Sequence, residues 1–339
     1  MKKSPRNILI SRTDSIGDVV LTLPVAAVLK EHFPDMTIGF MGKSYTRPVI
    51  EACRFVDEYV DVDDFMNREV LLGGQPIEAI IHVFPVSEIS FRARSLGIPN
   101  RIGTTNRLYH LPTCNKLVKL SRKNSNLHEA QLNIALLKPL GIQNDYSLEQ
   151  IESMFGLDRL ELLRPEFKSL IDTNSYNLIL HPKSQGSGRE WPLQNYIKLI
   201  QSLDQDRFKI FVSGTPKEQK ALQPLFEEAG DRVTNITGKM DLSQFLSFIQ
   251  HCDGLVASGT GPVHLAAVLG KDALGMYPPI RPVHPGRWQP IGPKAKVFAL
   301  NKDCNDCKKS PKACHCIEEL EPLWVKCYLE EIANMKVSC

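Results

Sequence analysis

The chain has 339 residues, 42% of them hydrophobic and 23% charged, with 41 lysines and arginines against 38 aspartates and glutamates. That is enough chain for two cores, and a net charge of +3 is too balanced to argue for a nucleic-acid partner. No apolar run is long enough to cross a bilayer, and the run after Met1-Lys2-Lys3 breaks at Ser11 to Asp14, too early for a signal peptide, so the chain is expected in the cytoplasm.

The first element is a strand, Asn7 to Ser11, rich in leucine and isoleucine. It enters a polar turn ending in Gly17-Asp18, and an apolar-periodic helix is predicted from Val19 to Phe33. Asp18 therefore falls at or near the first helical turn, where the helix dipole favours the ionised carboxylate and α/β proteins gather their chemistry. Capping the helix is the plainer role for it. Further strands are predicted over 36–42, 58–62, 77–85 and 100–103, and helices over 45–53, 87–96 and 128–140, the last closed by Gly141. Asp61, Asp63 and Asp64 form a D-x-D string of the kind that can hold a metal-nucleotide; it reads here as a solvated loop. Arg92, Arg94, Arg101, Arg107, Lys116, Lys119, Arg122 and Lys123 crowd into a short stretch; any one of them reads as part of a solvated basic face, and as a group they could hold anionic phosphates.

The rhythm lapses over 146–175, the expected linker between a domain at 1–145 and one at 176–300. Strands then resume at 176–181, 208–213, 233–236, 254–257 and 273–277, with helices at 192–203, 218–229, 242–252 and 261–269. Strand–helix alternation twice over implies two doubly wound parallel sheets, an α/β chain without detectable sequence repeat.

Three loops of the second half follow strands. His181 to Pro192 is glycine-rich and carries Lys183, Ser184 and Arg189; free backbone N–H groups beside two cations make a diphosphate cradle, or simply a surface loop. Ser213 to Glu218 places Glu218 at a helix start, where an acid is also stabilising without any ligand. Ala257-Ser-Gly-Thr-Gly-Pro-Val-His264 turns through Gly259 and Gly261 into a helix, with Thr260 and His264 near its first turn. The loop 278–288 follows a strand end and could line the same pocket.

Three of these strings, in order, carry a resemblance. Arg12-Thr-Asp14-Ser-Ile-Gly-Asp18-Val-Val-Leu-Thr-Leu-Pro24, Arg189-Glu-Trp-Pro192 and Thr260-Gly-Pro-Val-His264-Leu-Ala-Ala are similar to the signatures of glycosyltransferase family 9, the heptosyltransferases of lipopolysaccharide core assembly and their relatives. The resemblance implies a GT-B fold, two Rossmann-like domains facing a cleft. It implies inverting, metal-independent transfer with no required cofactor, from a nucleotide-diphosphate sugar such as ADP-heptose to an anionic glycolipid at the inner-membrane surface. Asp18 would be the base. Lys183, Ser184, Arg189, Glu218, Thr260, Gly261 and His264 would hold the donor, and Arg12, Asp14 and Arg101 the acceptor. The family usually has an aspartate where this chain has Gly259. A non-catalytic nucleotide-sugar binder and a Rossmann oxidoreductase are the alternatives; the absence of G-x-G-x-x-G after the first strand counts against the latter.

Nine cysteines are present. Cys53, Cys114 and Cys252 read as buried apolar side chains. In the segment 301–339, Cys304, Cys307, Cys314 and Cys316 offer a C-x-x-C and a C-x-C pair that could close a structural zinc site, with reduced cysteines as the competing reading.

Overall fold

The computed structural model describes residues 4–122, 125–143, 145–184, 186, 188–280, 283–302, 304 and 315–337. The chain divides into two compact units, one up to Arg159 and one from Leu160. The segment expected as a linker holds two short helices, Leu148–Glu152 and Pro165–Lys168. Leu157 pairs with Cys53 in the first unit, whereas Glu161 and Leu162 offer carbonyls to Ser247 and Gln244 in the second.

In the first unit, β1 (Asn7–Ser11), β2 (Thr37–Gly42), β3 (Glu58–Asp61), β4 (Ala79–His82), β5 (Asn100–Thr104) and β6 (Lys116–Val118) form one sheet in the order β3-β2-β1-β4-β5-β6, every pair parallel. In the second, β7 (Tyr176–His181), β8 (Phe208–Val212), β9 (Val233–Asn235), β10 (Gly254–Ser258), β11 (Asp272–Met276) and β12 (Ala295–Phe298) repeat that order as β9-β8-β7-β10-β11-β12, again all parallel. Strand order reverses beside β1 and β4 in one sheet and beside β7 and β10 in the other. The loops leaving the carboxyl ends of those strands are where such sheets bind ligands.

The central strands read as unbroken apolar runs because helices cover both faces. All five residues of β1 are buried, and each fully buried Leu or Ile contributes about 1.5–3 kcal/mol. In the second unit the helix Leu193–Ser202 turns Tyr196, Ile197, Leu199 and Ile200 into the core. The helix Pro322–Val337 packs against it through Val325, Leu329 and Ala333, at the four-residue spacing of one helical face. Trp191 joins the same core, its Nε1 donating to the Leu320 carbonyl at 2.8 Å.

Two expectations are corrected here. The helix predicted over 19–33 is two, Ile16–Val20 and Leu23–His32. Pro24 lacks the N–H the longer helix would need and its ring would press on the preceding turn; Thr22 Oγ1 donates to the Asp18 carbonyl at 2.8 Å and closes the first piece. The acidic string is no loop: Asp61 caps the helix Val62–Asn67, its side chain accepting from the Asp63 N–H at 2.8 Å. Asp63 and Asp64 lie in that helix's first turn, where acids are stabilising.

Candidate active site

β1 runs straight into Arg12, which is only 3% exposed. Its guanidinium meets three carboxylates. Nε donates to Asp14 Oδ1 at 2.7 Å, Nη1 to Glu129 Oε1 at 3.3 Å, and Nη2 pairs with Asp18 Oδ1. Ser15 Oγ donates to the other Asp18 oxygen at 2.5 Å. Asp18 is thus held at the third position of the helix Ile16–Val20 with its carboxylate partly open to solvent. Arg122 supplies a second cation: it donates to Glu129 Oε1 at 3.0 Å, the Asn133 side chain at 2.8 Å and the Val83 carbonyl at 3.2 Å. Three carboxylates on two guanidiniums leave a surplus negative charge. Burial pushes Asp14 up to about 6, Arg12 pulling it back and Asp18 adding to the rise. Burial alone would lower the Arg12 guanidinium, but Asp18, Asp14 and Glu129 raise it on balance, so it stays charged. A buried cation so enclosed fixes the geometry of whatever it holds.

Arg12, Asp14 and Asp18 are brought together in this cage. Arg101 is spent differently: its guanidinium donates to the Thr113 carbonyl at 2.6 Å and to that of Ile98. Other members of the basic stretch are also structural. Arg92 holds the Phe65 and Arg68 carbonyls, and Arg94 that of Pro112 at 2.7 Å. The side chains of Arg107, Lys116 and Lys119 make no hydrogen bond or ion pair among the described residues; Lys123 lies outside them.

Beside this cage, at the carboxyl ends of β1 and β4, Ser11 pairs in register with His82. Ser11 Oγ, both ring nitrogens of His82 and Nε2 of His110 are buried without a partner, and the two imidazoles lie 5.6 Å apart. Burial pushes His82 down to about 3, with His110 and Arg101 adding to it. Both rings are neutral at ordinary pH.

In the second unit the loops after β7, β8 and β10 share the carboxyl edge. Thr260 caps the helix Gly261–Val268 with its backbone while its side chain makes no capping bond; the buried Oγ1 has no partner. His264 lies in the same helix, buried. The glycine-rich loop packs on this turn: a Cβ at Gly188 would stand 3.0 Å from the Gly259 carbonyl oxygen, so the close approach needs glycine. Within the loop the cations are not equivalent. Lys183 pairs with Glu190, whose other oxygen accepts from the Ser184 N–H at 2.8 Å and hydroxyl at 3.0 Å. Those bonds outweigh the upward push of burial and hold Glu190 below the usual carboxylate range. Arg189 is half-buried and makes no such bond among the described residues. Glu218 is buried and accepts from the Thr215 N–H at 2.7 Å and hydroxyl at 2.9 Å, a capping box. His181, pushed down to about 4 by burial, meets Ser213 Oγ at 2.9 Å.

A family model described as glycosyltransferase family 9 (heptosyltransferase) matches residues 88–318. The chain belongs to glycosyltransferase family 9. It is 28% identical to lipooligosaccharide heptosyltransferase 2 of Haemophilus ducreyi over 315 residues, 86% of this chain and 88% of that protein. Among solved structures it is similar to ADP-heptose LPS heptosyltransferase II of E. coli, with a TM-score of 0.75 at 17% identity over 97% of this chain and 99% of the other. It is also similar to E. coli heptosyltransferase WaaC bound to ADP, with a TM-score of 0.68 at 17% identity over 96% and 99%. The resemblance read from the motifs is borne out. The protein is a glycosyltransferase with a GT-B fold.

The geometry adds residues of this family 9 transferase that its motifs did not single out. Glu129 and Arg122 complete the cage around Arg12, although Glu129 lies 117 residues away in sequence; in the sequence Glu129 looked like any acid opening a helix. Glu190 sits between Arg189 and Trp191, and its charge opposite Lys183 was the available signal. Tyr277 explains Gly259: a Cβ there would run into the Tyr277 ring, whose hydroxyl donates to the Trp288 carbonyl at 2.8 Å. An aromatic ring fills the space beside the position where the family usually has aspartate.

Cys53, Cys114 and Cys252 are buried, as expected, and form no disulfide among the described residues. Of the four candidate zinc ligands, Cys316 is buried and Cys304 partly so, packed together with Ile280 and Leu300. Cys307 and Cys314 lie outside the described residues. No helix among the described residues is long and apolar enough to cross a membrane.

Proposed function

We propose that this transferase moves a heptose, with inversion, from ADP-heptose to a lipopolysaccharide-core acceptor. The Arg12 cage carries the reading. It holds a partly exposed carboxylate, Asp18, at the edge of the first sheet where ligands bind. The acceptor hydroxyl oxygen bonds to the anomeric carbon on the face opposite the diphosphate, the carbon–oxygen bond to the diphosphate breaks, and Asp18 takes the hydroxyl proton. Arg12 and Asp14 position that carboxylate.

The second unit supports the donor half of the reading. A buried hydroxyl without a partner, Thr260 Oγ1, stands at the start of an eight-residue helix, and backbone N–H groups there suit a phosphate. Lys183, Ser184 and Arg189 lie in the loop packed on that turn, with Gly261 and His264 in the helix itself. Leaving-group charge is met by these cations and amides, so the scheme requires no metal. Glu218, already capping its own turn, offers the nucleoside its remaining acceptor capacity. A structural zinc on Cys304, Cys307, Cys314 and Cys316 belongs to the same reading without a step in transfer; metal analysis of the purified chain decides it, and a metal-free chain removes it. An acceptor in the lipid leaflet places the protein at the cytoplasmic face of the inner membrane.

Two variants test the reading. Asp18→Asn is expected to lower transferase turnover by about 10²–10⁴-fold while ADP binding by calorimetry is unchanged. Thr260→Val is expected to leave the ligand-free protein at least as stable, since the hydroxyl has no partner to lose, and to weaken ADP binding about tenfold. Full turnover in D18N removes Asp18 as the base. Unaltered ADP affinity in T260V, or binding of NAD in place of ADP, removes the donor site.

A further inference from the structure

The 40 residues between Glu88 and Glu129 contain eight lysines and arginines and no aspartate or glutamate, although the rest of the chain is net acidic. Part of this charge is internal, because Arg92, Arg94, Arg101 and Arg122 hold backbone carbonyls. What remains free is local: Arg107 and Lys119 are exposed, Lys116 half-exposed, and none of the three side chains has a hydrogen-bond or ion-pair partner among the described residues.

Large apolar side chains stand on the same segment. Leu108 is 85% exposed and Leu111 57%, three residues apart and so on one side of their turn. Leu117 is exposed on the edge strand β6, paired in register with Gly103. A Cβ at Gly103 would press on His110 and Cys114, so Leu117 shares its sheet face with the helix His110–Thr113. Phe91, also exposed, lies on the helix Ser87–Ser95, which packs against His110–Thr113. Glu88, one turn before Phe91, bounds the acid-free stretch of sequence.

The surface is built. Arg94 to the Pro112 carbonyl at 2.7 Å, Arg101 to that of Thr113 at 2.6 Å, and the Thr104 N–H to His110 Nδ1 at 3.0 Å pin the segment to the sheet. Scattered exposed leucines are ordinary. A rigid group of them among unpaired cations, with no carboxylate in 40 residues, is suited to a layer that is apolar beneath and negative at its surface.

We propose that this face, centred on Leu108 and Leu111 and rimmed by Arg107, Lys116 and Lys119, docks the first unit onto an anionic phospholipid bilayer. The leucines enter the headgroup–acyl boundary and the cations meet lipid phosphates. This inference stands independently of the donor and base assignments above.

The test is sedimentation of the full chain with vesicles of phosphatidylcholine alone and of phosphatidylcholine mixed with phosphatidylglycerol, at low and high salt. The chain is expected to bind the mixed vesicles, more weakly at high salt, and to ignore the neutral ones. R107E/K119E is expected to bind the mixed vesicles at least about 25-fold more weakly, at roughly fivefold for each cation removed. L108S/L111S should weaken binding about tenfold or more, with the loss persisting at high salt. Both variants alter exposed residues and should keep the wild-type melting temperature and ADP affinity, which separates loss of docking from loss of the donor site. Failure of the wild type to bind, equal binding to neutral vesicles, or variants that bind as the wild type does would overturn the proposal. So would a wild-type dimer that L108S/L111S makes monomeric while no form binds vesicles, since the face would then belong to a second copy.

Discussion

Asp14→Asn should make this transferase more stable and less active, and the size of the first effect follows from the cage. Asp14 is pushed from 3.8 up to about 6 because burial outweighs the pull of Arg12. A raised carboxyl pKa means the folded state binds the proton more tightly than the unfolded chain. Stability from the protonated form is complete below about pH 4 and is lost as pH rises through the folded value near 6. About two pH units at 1.4 kcal/mol each put the loss near 3 kcal/mol. Asp14 keeps some exposure, 22% of its side chain, and solvent screening reduces that to about 1–2 kcal/mol.

Asparagine is nearly isosteric with the protonated acid and cannot ionise. Arg12 keeps Asp18 and Glu129 as partners. Urea denaturation at about pH 4 should therefore give similar stabilities for D14N and wild type, and at about pH 7.5 D14N should be more stable by about 1–2 kcal/mol. Groups outside the cage titrate alike in both proteins and cancel in the difference. Turnover should fall in the variant, because Asp18 and Arg12 lose an ionised neighbour that fixes their geometry. Equal destabilisation of D14N at both pH values would refute the reasoning: the Arg12–Asp14 pair would then outweigh its own desolvation.

Glu190→Gln frees Lys183 from its ion pair, and ADP affinity by calorimetry should rise about fivefold; weaker binding would show that Glu190 holds the loop in its competent shape. Gly259→Ala drives a Cβ into Tyr277 and should cost about 1–3 kcal/mol in denaturant titrations, a loss that a smaller residue at 277 partly offsets; an undisturbed G259A shows the ring can move aside. His82 is pushed down to about 3 by burial, so its neutral form contributes stability above about pH 6.5 that is lost as pH falls towards 3. His82→Leu should flatten the acid side of the stability profile, and an unchanged slope removes His82 as its source.

The central strands were legible because burial on both faces leaves nothing but apolar residues, as in Ile8, Leu9 and Ile10 or Leu178, Ile179 and Leu180. The edges were not. β6 is Lys116-Leu-Val and β12 Ala295-Lys-Val-Phe, short strands with one open side and no pattern to read. The helix Pro322–Val337 was hidden behind the cysteine-rich segment, and its buried face is defined only by the core it closes. Asp18 could be found because its neighbours in sequence are also its neighbours in space. Glu129, Arg122 and Tyr277 could not, because each acts on a residue from a different strand or loop.

The two sheets share one topology and differ in what they leave unsatisfied. In the first, burial at the carboxyl edge encloses charge: Arg12 among three carboxylates, and beside it two neutral imidazoles with idle nitrogens. In the second, the same edge carries small residues, a buried hydroxyl without a partner, and a loop whose lysine is already held by an internal carboxylate. A buried polar atom without a partner costs about 1–3 kcal/mol. Folding alone gives no reason to keep one at the carboxyl edge of each sheet while the strand centres hold none. On the proposed reading, the first edge holds a proton acceptor in place and the second exchanges an internal anion for an incoming one. That division is what a transferase with its base on one sheet and its donor on the other requires, and it explains why a common strand order carries no common sequence.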